Sequence, residues 1–233
     1  MRKQIAAVAT ALAMVLIGGS ALAHETRLGL FGAESGAEIG WSQGPDSPND
    51  SNTSALNIRT DPGEFAGAYK PSFGLGAEGG SSVAGTNVRN LSFDFLNTVG
   101  GGYVNAGAPR YSIRILEASG EDADTDDFAF LAAFYCQGPT SNVNWSRADF
   151  TGATDSKGDC ALQFEGVTYS NTATEDAWDV FVAANPGVRV DYGFLIVDEP
   201  TAPGRVRVDR LAMQSHMQIA GGRTVHCPSE GSC

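Results

Sequence analysis

Leu91-Ser92-Phe93-Asp94-Phe95 and, sixteen residues on, Tyr111-Ser112-Ile113-Arg114-Ile115 decide the fold class of this chain. In each run the apolar residues fall at every second position with polar residues between them. That is the period of a strand with one face turned to a core and the other to water. The scheme recurs downstream at intervals of about ten residues, with turn residues between the runs, which reads as an antiparallel sandwich. Phe128, Phe130, Ala132, Phe134 and Cys136 share one phase, followed by Leu162 and Phe164, Trp178, Val180 and Val182, Tyr192, Phe194 and Ile196, and Val206 and Val208. With Leu56 to Arg59, eight to ten strands are expected. No sustained 3.6-residue apolar repeat follows residue 23, so few or no helices are expected.

The first 23 residues follow another pattern. Arg2 and Lys3 precede an apolar run from Ile5 to Ile17, then come Gly18, Gly19, Ser20 and the triplet Ala21-Leu22-Ala23. A basic start, a short apolar run and a small-x-small site read as a secretory signal peptide cleaved near Ala23. The run is too short for a permanent anchor, which needs about 20 apolar residues. The expected product is secreted or periplasmic, starts at His24 and carries no transmembrane anchor.

Cleavage leaves 210 of 233 residues, enough for one β-sandwich domain with a sufficient core of its own. Within it, residues 24–55 are expected to form a Gly/Ser/Asn/Pro-rich N-terminal segment of the same domain, 56–217 the sandwich and 218–233 a disulfide-tied C-terminal tail. The stretch from Gly32 to Asn52 reads as a long loop with Trp41 as its one large aromatic. Losing Arg2 and Lys3 leaves 13 basic residues against 27 acidic, moving the formal charge from −12 to −14. Such a surface repels phosphate backbones, so nucleic acid is not an expected partner.

Four cysteines in an exported chain point to disulfides, and three pairings are possible. Cys136–Cys160 and Cys227–Cys233 are favoured because each pair brackets a loop rich in small and polar residues. Gly74, Gly76 and Gly79 match the spacing of a dinucleotide fingerprint, but the next expected element is a strand rather than a helix, which rejects that reading.

The acidic run Asp122, Asp124, Asp126 and Asp127 is a candidate calcium site, since alternating carboxylates suit a cation that takes six to eight oxygen ligands. It departs from the EF-hand pattern at Asp127 and Ala133, and the competing reading is a solvated hairpin tip. Histidines number three, and no nucleophile elbow or zinc-protease motif is present. Asp149, Glu165, Asp179 and Asp191 lie in or beside expected strands, and two of them could serve a glycosidase if they converge. Among the aromatics, Tyr111 and Tyr192 are in phase with core residues, and the core reading is also preferred for Trp145 and Trp178. Trp41, Tyr103 and Tyr135 are the candidate ligand-binding residues.

Asn90 to Phe95, Gly107 to Ile113 and Val206 to Leu211 resemble the first, middle and last strands of secreted bacterial jelly-roll modules of the carbohydrate-binding or galactose-binding-like kind. The resemblance spans most of Leu56 to Met213 and consists of strand patterns. It implies a two-sheet antiparallel sandwich, often with structural calcium, whose ligand lies on a concave sheet face or at the loop tips. The leading expectation is an exported, non-catalytic β-sandwich that binds a carbohydrate or another cell-surface component. The alternatives are a structural or protein-interaction domain of the envelope without a small ligand, and an unrecognised polysaccharide hydrolase or lyase.

Overall fold

The structure is a computed structural model that describes residues 29–43, 54–70, 82–88, 90–99, 109–116, 128–133, 136, 144–151, 160–198, 203–213, 216–219 and 223–226. Among these residues the chain forms fifteen strands and one α-helix, arranged as two antiparallel sheets. The first sheet holds β1 (Gly29–Phe31), β4 (Phe65–Lys70), β5 (Val83–Ala84), β7 (Arg110–Leu116), β8 (Phe128–Ala132), β10 (Ala161–Phe164), β11 (Val167–Ser170) and β12 (Arg189–Asp198). The second holds β2 (Glu38–Gln43), β3 (Ser54–Thr60), β6 (Ser92–Val99), β9 (Ser146–Asp149), β13 (Gly204–Met213), β14 (His216–Ile219) and β15 (Arg223–His226).

Eight of these strands pair as a folded-over ribbon. β3 pairs with β13, β4 with β12, β6 with β9 and β7 with β8. The ribbon then rolls, so that β13 also pairs with β6 and β12 with β7. The resulting orders, β3-β13-β6-β9 and β4-β12-β7-β8, are those of a jelly roll, which divides two interlocked Greek keys between two sheets. β1, β10 and β11 widen the first sheet, and β2, β14 and β15 extend the second.

The core lies between the sheets. Leu56, Ile58, Phe93, Phe95, Val206 and Val208 fill it from the second sheet, and Tyr111, Ile113, Leu131 and Leu195 from the first. Phe93 meets the Tyr111 ring edge-on at 5.0 Å, a favoured geometry for two aromatic quadrupoles. The Tyr111 hydroxyl, fully buried, donates toward the carbonyls of Ser92 and Ala212 at 2.7 and 2.8 Å. Burial holds its pKa well above the usual phenol range, so it stays a donor at any physiological pH. Cys136 and Cys160 form a disulfide within this core, as expected. Cys227 and Cys233 lie outside the described residues.

Three expectations need correction. Trp178, Val180 and Val182 belong to a helix, Ala177–Ala184, rather than a strand. Asp176 caps it by accepting the Asp179 N–H at 2.8 Å, and the buried side chains Ala177, Trp178, Phe181 and Val182 follow helical spacing. The Gly32–Asn52 stretch carries the strand β2, paired along its length with β3. Finally, Phe128, Phe130, Tyr192, Phe194 and Ile196 do not face the core between the sheets; their neighbours Ala129, Leu131, Leu195 and Val197 do.

Candidate functional site

The outer faces of the two sheets differ in chemistry. That of the second sheet is charged: Arg147 reaches Asp94 at 3.0 Å and Asp149 at 3.3 Å, Arg210 lies 3.6 Å from Asp94, and Arg59 bonds Glu38 at 2.9 Å. Asp94 is almost wholly buried, so its two guanidinium neighbours are needed to keep a carboxylate there. This face is a network of matched charges.

The outer face of the first sheet is aromatic. Because side chains alternate across a strand, pairing carries one outward residue from strand to strand. Gly29 pairs with Tyr69, Tyr69 with Phe194, Phe194 with Ser112, Ser112 with Phe130, Phe130 with Gln163 and Gln163 with Thr168. One row thus crosses seven strands. Beside it Phe31, Phe128, Phe194 and Ile196 form a second apolar cluster, against which the half-buried Phe65, Tyr69, Phe130 and Tyr192 pack. Phe31 meets Phe194 edge-on at 5.9 Å, and Phe128 meets Tyr192 at 6.0 Å. Two glycines make room for the rings. A Cβ at Gly29 would enter the Tyr69 ring, and one at Gly67 would meet Phe31 Cζ at 2.7 Å, so these rings lie across bare backbone.

Two arginines of β7 stand among the rings. Arg110 meets both oxygens of Asp198, at 2.6 and 2.7 Å, with its guanidinium 5.1 Å from the centre of the Phe130 ring. Arg114 reaches Asp191 at 3.4 Å and lies 5.6 Å from the Tyr192 ring centre. The second arrangement depends on a register shift between Val190 and Gly193, which sets Asp191 and Tyr192 together opposite Arg114. Such an extra residue re-aims side chains, and here it brings a carboxylate and a ring to one guanidinium. The face therefore sets the half-buried rings of Phe130 and Tyr192 beside two arginine–aspartate pairs, next to a cluster whose Phe31, Phe128, Phe194 and Ile196 are themselves buried.

This arrangement only partly coincides with the residues expected from sequence. Trp41 is half-buried and packs against the core between the sheets, from β2 at the sheet margin, rather than standing on an outer face. Tyr103, Tyr135 and the aspartates Asp122, Asp124, Asp126 and Asp127 lie outside the described residues. Among the described residues no group of three or more His, Cys, Asp or Glu side chains is placed to hold a metal ion. Tyr192 joins the outer face instead of the core between the sheets. Trp178 is buried, its indole N–H donating to the Gly85 carbonyl at 3.0 Å.

Of the four carboxylates considered for glycoside cleavage, Asp191 serves Arg114 on the first sheet and Asp149 serves Arg147 on the second. Glu165 stands in the β10–β11 turn, where Glu165 and Gly166 both have positive φ. Asp179 opens the helix, and with Asp149 it acts on Asp176, whose pKa burial raises to about 6. These four do not converge on one cleft from one face.

Comparison with protein families, with characterised proteins and with solved structures returns no match. No helix among the described residues is long and apolar enough to cross a membrane.

Proposed function

We propose that this chain is an exported, non-catalytic β-sandwich whose aromatic outer face, on the first sheet, binds a carbohydrate. The observation that carries the reading is the pair of guanidinium–ring–carboxylate groups on that face, Arg110 with Phe130 and Asp198, and Arg114 with Tyr192 and Asp191. Sugars present C–H patches beside hydroxyl groups. Half-buried rings offer apolar surface to the patches, and arginine–carboxylate pairs offer donors and acceptors to the hydroxyls. The leader-like start of the chain supports export.

Affinity electrophoresis in gels containing soluble polysaccharides, followed by a glycan array, tests this. Retardation by at least one glycan, reduced at least tenfold in Phe130→Ala and Tyr192→Ala proteins that remain folded, is the expected result. No retardation by any glycan, or retardation that ignores both substitutions, overturns it.

A second reading, a protein-interaction domain of the envelope, is favoured by the margin of the first sheet. Among the described residues β11 ends the strand order there, and Val167 on it is 51% exposed. An open strand edge is a template for pairing with another chain. Chemical crosslinking that captures a partner at β11, in a protein that binds no glycan, would select this reading.

A further inference from the structure

Resting on the interaction reading, we propose that the partner is a basic, extended peptide segment that adds to β11 as a further strand of the first sheet. β11, Val167-Thr168-Tyr169-Ser170, contains no charge and no proline, and its register with β10 is uninterrupted. It therefore lacks the devices that blunt a strand edge. Val167, Thr168 and Ser170 are exposed, and among the described residues no strand pairs with the far side of β11.

The ladder decides which backbone groups the edge offers. Just past the end of β11, the Asn171 N–H donates to the Cys160 carbonyl at 3.2 Å. Bonded and non-bonded pairs alternate along an antiparallel ladder, so Tyr169 and Val167 also turn their N–H and C=O groups toward β10. Thr168 and Ser170 turn theirs outward, each with one donor and one acceptor. A strand laid there meets Val167 and the half-buried Tyr169 on one side, and Thr168 and Ser170 on the other. Alternating β-branched apolar and hydroxyl residues suit both sides.

The charge of the partner comes from the two ends of β11. Glu165 is exposed in the turn before it, and Glu175 is exposed in the turn after it, which the Thr172 N–H closes by donating to the Glu175 carbonyl at 2.8 Å. Neither carboxylate enters an ion pair among the described residues. A segment with lysine or arginine at both ends is drawn to such an edge. A second copy of this chain is not, because antiparallel pairing of two β11 strands would bring the Glu165 end of one to the Glu175 end of the other.

The test titrates the 15N-labelled full chain at low salt with the blocked peptide Lys-Val-Thr-Val-Thr-Lys and with its Glu-Val-Thr-Val-Thr-Glu counterpart. The expected result is movement of the Thr168 and Ser170 amide resonances with the lysine peptide, at an affinity at least tenfold above that of the glutamate peptide and reduced by salt. Joint Glu165→Gln and Glu175→Gln substitutions should erase most of that preference. A lysine peptide N-methylated at its four central residues cannot form the ladder and should leave both amides unmoved; an equal effect of this peptide overturns strand addition. Equal affinity for the lysine and glutamate peptides overturns the basic partner while leaving β11 an interaction edge. Movement of the two amides with protein concentration alone assigns the edge to a second copy and overturns the proposal likewise. If neither peptide nor self-association moves Thr168 or Ser170, the proposal and the interaction reading fall together.

Discussion

Arg110 and Asp198 are 88 residues apart in the chain, yet they meet through two hydrogen bonds of 2.6 and 2.7 Å on the outer face of the first sheet. Arg110 sits directly opposite Ile196, so Asp198 reaches it diagonally, two residues further along β12. Both side chains are about a fifth exposed, which places the pair between the weak surface case and the costly buried one. A double-mutant cycle with Arg110→Met and Asp198→Asn should give a coupling energy of about 1 kcal/mol by urea unfolding. A coupling indistinguishable from zero would show that the pair forms without stabilising the fold.

The indole of Trp178 ties the helix to the short segment after β5. Trp178→Phe keeps most of the ring's packing but leaves the Gly85 carbonyl without that donor. A loss of about 1–2 kcal/mol is expected, whereas Trp178→Ala should cost about 3–5 kcal/mol because it also opens a cavity. Chemical denaturation of both variants checks the ordering. No loss in Trp178→Phe would mean that the hydrogen bond contributes nothing measurable.

Asp176 gives the fold a pH dependence of defined sign. Burial raises its pKa to about 6, against the N–H bonds of the helix start that favour the anion. An unfolded aspartate titrates near about 3.9. Between those values the native state holds more protons than the unfolded state, so this group's contribution to stability falls as pH rises from about 4 to about 6. Asp176→Asn keeps an oxygen to accept the Asp179 N–H and removes the charge. Partial exposure limits the difference to under about 1 kcal/mol. The variant should melt above the unsubstituted protein at pH 7.5 and level with it near pH 4, and the reverse order would reject the argument.

Closing the loop between Cys136 and Cys160, a sequence separation of 24, should stabilise the fold by about 3.5 kcal/mol if chain entropy dominates. A Cys136→Ala/Cys160→Ala double variant should accordingly unfold at lower guanidinium concentration. Reductant should lower the midpoint of the parent chain more than that of the double variant, which keeps Cys227 and Cys233. An unchanged midpoint in the double variant would remove the disulfide from the stability account.

The alternation of Leu91, Phe93 and Phe95, and of Tyr111, Ile113 and Ile115, was enough to read an antiparallel sandwich, because in those strands a single phase is apolar. It could not orient β8 or β12. In Phe128-Ala129-Phe130-Leu131 and Phe194-Leu195-Ile196-Val197 both phases are apolar, and size alone suggests the wrong one. The core between the sheets is already occupied by the rings of Phe93, Tyr111 and Phe150, which leaves room on the facing strands for the small side chains Ala66, Ala68 and Ala129. The larger rings are turned outward. The helix had a legible signal in Asp176 followed by Ala177, Trp178, Phe181 and Val182, but Trp178, Val180 and Val182 also satisfy a period of two. Of the candidate site, alternation set Arg114 and Ser112 on the face opposite Ile113. Their aspartate and ring partners come from β8 and β12, and nothing local in the sequence specifies contacts that depend on how distant strands align.

Two apolar faces on one strand remove a safeguard. A strand with a single greasy side cannot slide by one residue without exposing that side to water, but β12 could slide and still bury something. What marks the native alignment is then discrete: Arg110 meets both oxygens of Asp198, and the extra residue of β12 brings Asp191 to Arg114. The two ion pairs act as teeth that select one notch on a nearly smooth rail. Chains lacking them should populate off-by-one alignments during refolding, seen as slow, heterogeneous recovery of native signal.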